Sequence, residues 1–148
     1  MLEKNDNHRH TGGCYCKKVR YTVSGELPDM TVCHCSQCRK QSGHQYATTL
    51  THRSRVTIRG EELISWFHAT QAAKRGFCSH CGSHLFWLNE DGDLAIMAAS
   101  LDEPTGLKLA SHIFTTDKGD YYDITDGLPQ FDHYPPPELM KWPSLIDK

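Results

Sequence analysis

The sequence predicts a mostly β domain, compact and held by metal rather than by disulfides. Three observations carry this. Short runs rich in β-branched and aromatic residues recur at close spacing, with turn residues between them. No apolar i, i+3, i+4, i+7 stripe runs for more than about two helical turns. Seven cysteines fall into three tight clusters, Cys14-Tyr15-Cys16, Cys33-His34-Cys35-Ser36-Gln37-Cys38 and Cys78-Ser79-His80-Cys81. Gaps of one or two residues suit poorly the reach of a disulfide and suit well the convergence of thiolates on one ion.

Taken in order, residues 1–10 are polar and mixed in charge with no apolar core. They read as a flexible leader and not as a secretory signal. Val19-Arg20-Tyr21-Thr22-Val23 alternates and forms the first expected strand, closed by the turn residues Gly25-Glu26-Leu27-Pro28-Asp29. Further short strands are expected at 31–33, 46–50, 55–59, 63–68, 74–77, 84–88, 94–97, 112–116 and 121–124. Turn chemistry separates several of them, at Arg53-Ser54, Gly60-Glu61, Asn89-Glu90-Asp91-Gly92 and Lys118-Gly119-Asp120. One short helix is expected at 36–42 with Ser36 as its N-cap. Tyr134-Pro135-Pro136-Pro137 leads into a proline-rich tail, 136–148, that cannot supply the N–H groups of a central strand. The expected zinc domain is therefore 11–135.

A chain of 148 residues is one domain by length, enough to bury about 70% of its unfolded surface. A net charge of −2 gives no electrostatic reason to expect nucleic acid or an anionic membrane as partner. No stretch approaches the roughly 18 apolar residues of a membrane span. The expected setting is the reducing cytoplasm, where clustered cysteines bind metal or do chemistry.

In an extended segment residues i and i+2 share a face, so Cys14 with Cys16, and Cys33 with Cys35, can each present two sulfurs to one ion. Cys78-Ser79-His80-Cys81-Gly82 is a Cys-x-x-Cys turn in which Gly82 can take a positive φ. Cys14, Cys16, Cys78 and Cys81 are the natural quartet for a closed structural zinc. Cys33, Cys35 and Cys38 then form a trio, the ligand count of a catalytic zinc that keeps a position for water or a substrate thiolate. Two alternatives stay open on spacing alone. His34, His44 or His80 can complete the trio as a second structural site, or the quartet can be drawn from the second and third clusters. Soft thiolates favour zinc, with iron or copper(I) as rivals.

Gly12-Gly13-Cys14-Tyr15-Cys16 with Val19-Arg20-Tyr21, the second cluster with Arg39-Lys40 and Gly43, and Phe77-Cys78-Ser79-His80-Cys81-Gly82-Ser83-His84-Leu85 together resemble the glutathione-dependent formaldehyde-activating family, also called centromere-protein-V-like. Ser100-Leu101-Asp102-Glu103-Pro104, His112-Ile113 and Asp126-Gly127-Leu128-Pro129 look like its later signatures. The resemblance implies a compact all-β "tent" of short antiparallel strands, two zinc ions per chain and the same four-plus-three division of the cysteines. It also implies a carbon–sulfur lyase joining glutathione and formaldehyde as S-hydroxymethylglutathione. The chain departs from the pattern at Asp120-Tyr121-Tyr122-Asp123, where many relatives carry tryptophan, and at Gly106-Leu107-Lys108-Leu109, which lacks an expected proline. The expectation is thus a zinc enzyme acting on a small-molecule thiol, with a non-catalytic zinc module for a protein or nucleic acid as the alternative. Arg39 and Lys40 are candidates to hold a substrate carboxylate, and His44 is a candidate proton shuttle. Tyr46 and Trp66 can wall a pocket, although aromatics in strands usually pack in the core, and Asp102 is expected to cap or order a turn rather than act as a base.

Overall fold

The computed structural model describes residues 8–139; most of the expected leader and most of the tail lie outside them. The described chain is mostly β, in two sheets. The smaller has three antiparallel strands in the order β1 (Arg9–Gly13), β2 (Arg20–Ser24), β5 (Val56–Arg59). The larger has seven, ordered β10 (Leu109–Ile113), β3 (Met30–Cys33), β4 (Tyr46–His52), β9 (Asp93–Met97), β8 (His84–Asn89), β7 (Ala73–Cys78), β6 (Ile64–Phe67). One short helix, α1 (Ser36–Ser42), follows β3. No helix among the described residues is long and apolar enough to cross a membrane.

The main core lies where inward residues of both sheets meet. Tyr21 and Val23 of β2 and Val56 of β5 pack with Ile64 of β6, Leu85 and Phe86 of β8, and Leu94 and Ile96 of β9. Strand β9 is the middle strand of the large sheet and is buried along its whole length. Its alternation serves two purposes: Leu94 and Ile96 face the main core, while Met97 joins a second cluster with Cys38 and Tyr46. The second cluster is the floor beside the three-cysteine group.

Four differences from the sequence expectation have physical causes. Strand β1 begins at Arg9, inside the stretch read as leader, because it pairs along its full length with β2. The N-cap of α1 is Cys35 and not Ser36; its sulfur accepts from the Cys38 N–H. Strand β10 pairs parallel to β3, whereas the expected strands are antiparallel, and it stops at Ile113 because Phe114 turns left-handed at φ 54°. Residues 121–124 form turn and irregular backbone instead of a strand, held by Lys118, whose ammonium donates to the carbonyls of Gly119 and Tyr122.

Candidate metal centres

The turn between β1 and β2 carries the first pair of cysteines. Cys14 N–H donates to the Val19 carbonyl, and Lys17 takes a left-handed φ of 67° to bring the chain round. The second pair closes the end of β7. Gly82 N–H donates back to the Cys78 carbonyl, and Gly82 takes the positive φ, 80°, expected of it. Cys14, Cys16, Cys78 and Cys81 thereby come together with all four sulfurs within 4.8 Å of one another. Cys14 and Cys16 Sγ are 3.4 Å apart and Cys16 and Cys78 Sγ 3.8 Å, close to the roughly 3.8 Å edge of a tetrahedron with 2.3 Å zinc–sulfur bonds. This set fits a four-coordinate ion, and the drawing of a quartet from the second and third clusters is excluded by their separation into two groups.

The trio is assembled by the junction of β3 and α1. Cys33 ends the strand, Cys35 caps the helix and Cys38 sits one turn in, so the three sulfurs converge within 4.8 Å. No histidine, aspartate or glutamate among the described residues joins them. The proton affinities of the three are split by their contact. Hydrogen bonds from the Cys33 and Cys38 side chains pull Cys35 down to about 2, while the same contacts push Cys33 up. A divalent cation bound there would hold all three as thiolates. None of the seven cysteines is in a disulfide.

The histidines considered as fourth ligands are placed elsewhere. His80 is exposed in the Cys78–Cys81 turn. His44 is exposed, with its ring edge-on to Tyr122 at 4.5 Å. His34 is fully buried and points away from the sulfurs, as the strand alternation requires. Its Nδ1 is 2.7 Å from the Tyr122 hydroxyl and its Nε2 is 2.8 Å from His112 Nδ1; His112 Nε2 is 2.7 Å from an Asp126 carboxylate oxygen. The Leu128 N–H and His112 hold the Asp126 carboxyl below its ordinary range, so it is an acceptor only. His112 Nε2–H therefore donates to Asp126, and the donors of the other two links follow the tautomer of each ring. Burial, then the nearby His112, His44 and Lys118, push His34 down to about 4. It is a neutral strut under the trio.

Of the other candidates, Arg39 spends its Nε on the His34 carbonyl at 3.3 Å, and Lys40 is exposed on α1. Tyr46 is buried beside Cys38, with its hydroxyl unpartnered. Trp66 stacks on Phe86 and packs against the main core. Asp102 orders a connection, as expected, accepting from Thr11 at 2.6 Å and pairing with Arg20. A cleft of about 660 Å³ is lined by Gln41, Ser42, Tyr46, His84 and Met97 among others; Tyr46 and Met97 stand between it and Cys38.

Sequence reasoning missed Arg75 and the Tyr122–His34–His112–Asp126 chain. Arg75 lies on β7 with Nη1 3.5 Å from Cys38 Sγ and Nη2 3.3 Å from Gln37 Oε1. Burial works against its charge, but Cys38, Cys35 and Cys33 outweigh that and hold it above the ordinary arginine range. The available signal was weak: Arg75 is one of two adjacent charged residues in the strand Ala73–Cys78, and of the two it is the buried one.

Residues 9–117 match the model of the family described as glutathione-dependent formaldehyde-activating enzyme. An uncharacterized lyase of Schizosaccharomyces pombe is 25% identical over 125 residues, covering 82% of this chain and 90% of that protein. The crystal structure of a Rhodobacter sphaeroides protein superposes with a TM-score of 0.54 at 24% identity, over 68% of this chain and 99% of the other, and supports the fold.

Proposed function

Since this chain belongs to the glutathione-dependent formaldehyde-activating enzyme family, we propose that it is a zinc-dependent carbon–sulfur lyase acting on the adduct of a small thiol and an aldehyde, glutathione with formaldehyde being the first pair to try. The observation that carries this reading is the trio: three sulfurs converge and no fourth protein ligand among the described residues joins them. Zinc bound there would hold a substrate sulfur as its thiolate at neutral pH. In the forward direction the sulfur lone pair forms the C–S bond, the carbonyl π pair moves onto oxygen, and the proton lost from the thiol ends on that oxygen. The reverse reaction breaks the same bond and returns thiol and aldehyde.

The chain's own residues hold this arrangement. Cys33, Cys35 and Cys38 supply the ligands, and the buried His34 strut fixes the backbone between the first two. Lys40 and His44 are exposed near the end of α1, free to meet a substrate carboxylate and a departing proton. Arg39 serves the first purpose less well, being tied to the His34 carbonyl. Cys14, Cys16, Cys78 and Cys81 would hold the second zinc as a structural clamp. Seven cysteines with no disulfide among them suit a reducing, cytoplasmic setting.

The test is exchange NMR on the zinc-loaded chain with glutathione and formaldehyde. The reading expects exchange between free and hydroxymethylated thiol well above the spontaneous rate, with 2-mercaptoethanol and cysteine ranking thiol preference. Exchange at the spontaneous rate for every small thiol would favour a non-catalytic zinc module instead.

A further inference from the structure

Arg75 is only 7% exposed, and none of the ion pairs among the described residues involves it. Its Nε is buried without a hydrogen-bond partner. A buried guanidinium with no carboxylate is costly unless another anion faces it. The anions at hand are sulfurs: Nη1 reaches Cys38 Sγ at 3.5 Å, and Gln37 Oε1 takes Nη2 at 3.3 Å, fixing the fork against the end of the trio.

The charge count says what this arrangement is for. Three thiolates around a divalent cation carry −1, and a fourth, anionic ligand makes −2. Burying a dianion is disfavoured where water cannot screen it. The quartet also reaches −2, but its loops include the exposed Tyr15 and His80, so solvent is close. Beside the trio, Cys38 and Arg75 are both buried, and the guanidinium takes the place of solvent.

We infer that Arg75 is a specificity-determining residue: its buried guanidinium is the counter-charge that lets the Cys33–Cys35–Cys38 centre accept an anionic sulfur as fourth ligand in preference to a neutral donor. The proton of the entering thiol leaves to solvent. This inference rests on the trio holding a metal.

The test uses the full chain loaded with two equivalents of cobalt(II), whose sulfur-to-metal charge-transfer bands report each ligand change. The chain is titrated separately with 2-mercaptoethanol, which binds as a thiolate, and imidazole, which binds neutral. Arg75→Met keeps the apolar stem and removes the charge; it should weaken thiol binding about 10–100-fold and leave imidazole binding unchanged. Arg75→Lys should recover most of the thiol affinity. Gln37→Glu, at an exposed position, gives the guanidinium a competing carboxylate without touching the core and should weaken thiol binding in the same sense; it decides the matter if Arg75→Met does not fold. Equal losses for thiol and imidazole, or no loss for thiol, overturn the inference. A parent chain that takes up a single cobalt, or two with no response to thiol, instead shows that the trio is not an open metal site, and the inference falls with that reading.

Discussion

Cys35 does two jobs that the sequence assigns to different residues. It is a candidate ligand, and it also caps α1, where serine at position 36 was the expected cap. The preference for serine reflects a hydroxyl oxygen accepting from the first turn; a thiolate accepts in the same place, and which residue does so depends on where β3 ends. The spacing of the cysteines made both groups visible beforehand. It could not show Arg75 or Asp126, because their partners lie 37 and 14 residues away and lone charged residues carry no spacing signal. The His34 strut makes a pH prediction. The buried ring sits at about 4, below the ordinary histidine value near 6.5. Between those values the unfolded chain takes up a proton that the native state refuses. The stability His34 contributes is therefore complete above about pH 6.5 and falls away as the pH drops toward 4. By NMR its ring resonances should stay fixed from pH 8 to about 5.5. A midpoint near 6.5 would mean that the ring is not buried as described.

At the scale of elements, strands whose alternation is strong in sequence appear where expected, β2, β4, β5, β7, β8 and β9 among them. The failures are instructive. Residues 121–124 have the aromatic content of a strand, but a strand needs a free edge to pair with, and the backbone beside β10 is taken by 129–131 instead: Phe131 N–H donates to the His112 carbonyl and His112 N–H to that of Pro129. Such competition for an edge leaves no local trace in sequence. Turns offer a direct test of how tightly elements meet. Gly60 and Gly82 both have positive φ, yet a Cβ at Gly60 would lie 2.2 Å from the Lys18 carbonyl oxygen, whereas nothing lies within 4 Å of one at Gly82. Urea unfolding of zinc-loaded protein should show Gly82→Ala costing about 1–2 kcal/mol. Gly60→Ala should cost about 1–3 kcal/mol more, because the backbone around Lys18 must shift. Equal costs would mean that the packing of Gly60 against Lys18 is looser than its contacts indicate.

For the whole molecule, the two cysteine groups differ in what they join. The quartet ties the β1–β2 turn to the end of β7, across 62 residues between Cys16 and Cys78, and so links the two sheets. The trio spans six residues at one junction. A chelator added stepwise should remove one zinc with the far-UV circular dichroism unchanged and the second together with unfolding, since a structural zinc supplies on the order of 10 kcal/mol of folding free energy. Simultaneous loss of both would mean that the groups are not independent. The division of labour is tested most directly by zinc stoichiometry and circular dichroism on two single variants. Cys35→Ser, which keeps a good helix cap, should stay folded, bind one zinc instead of two and lose thiol-dependent turnover. Cys78→Ser should lose the fold. If Cys35→Ser unfolds as completely as Cys78→Ser, the trio is a structural site and the enzyme reading fails.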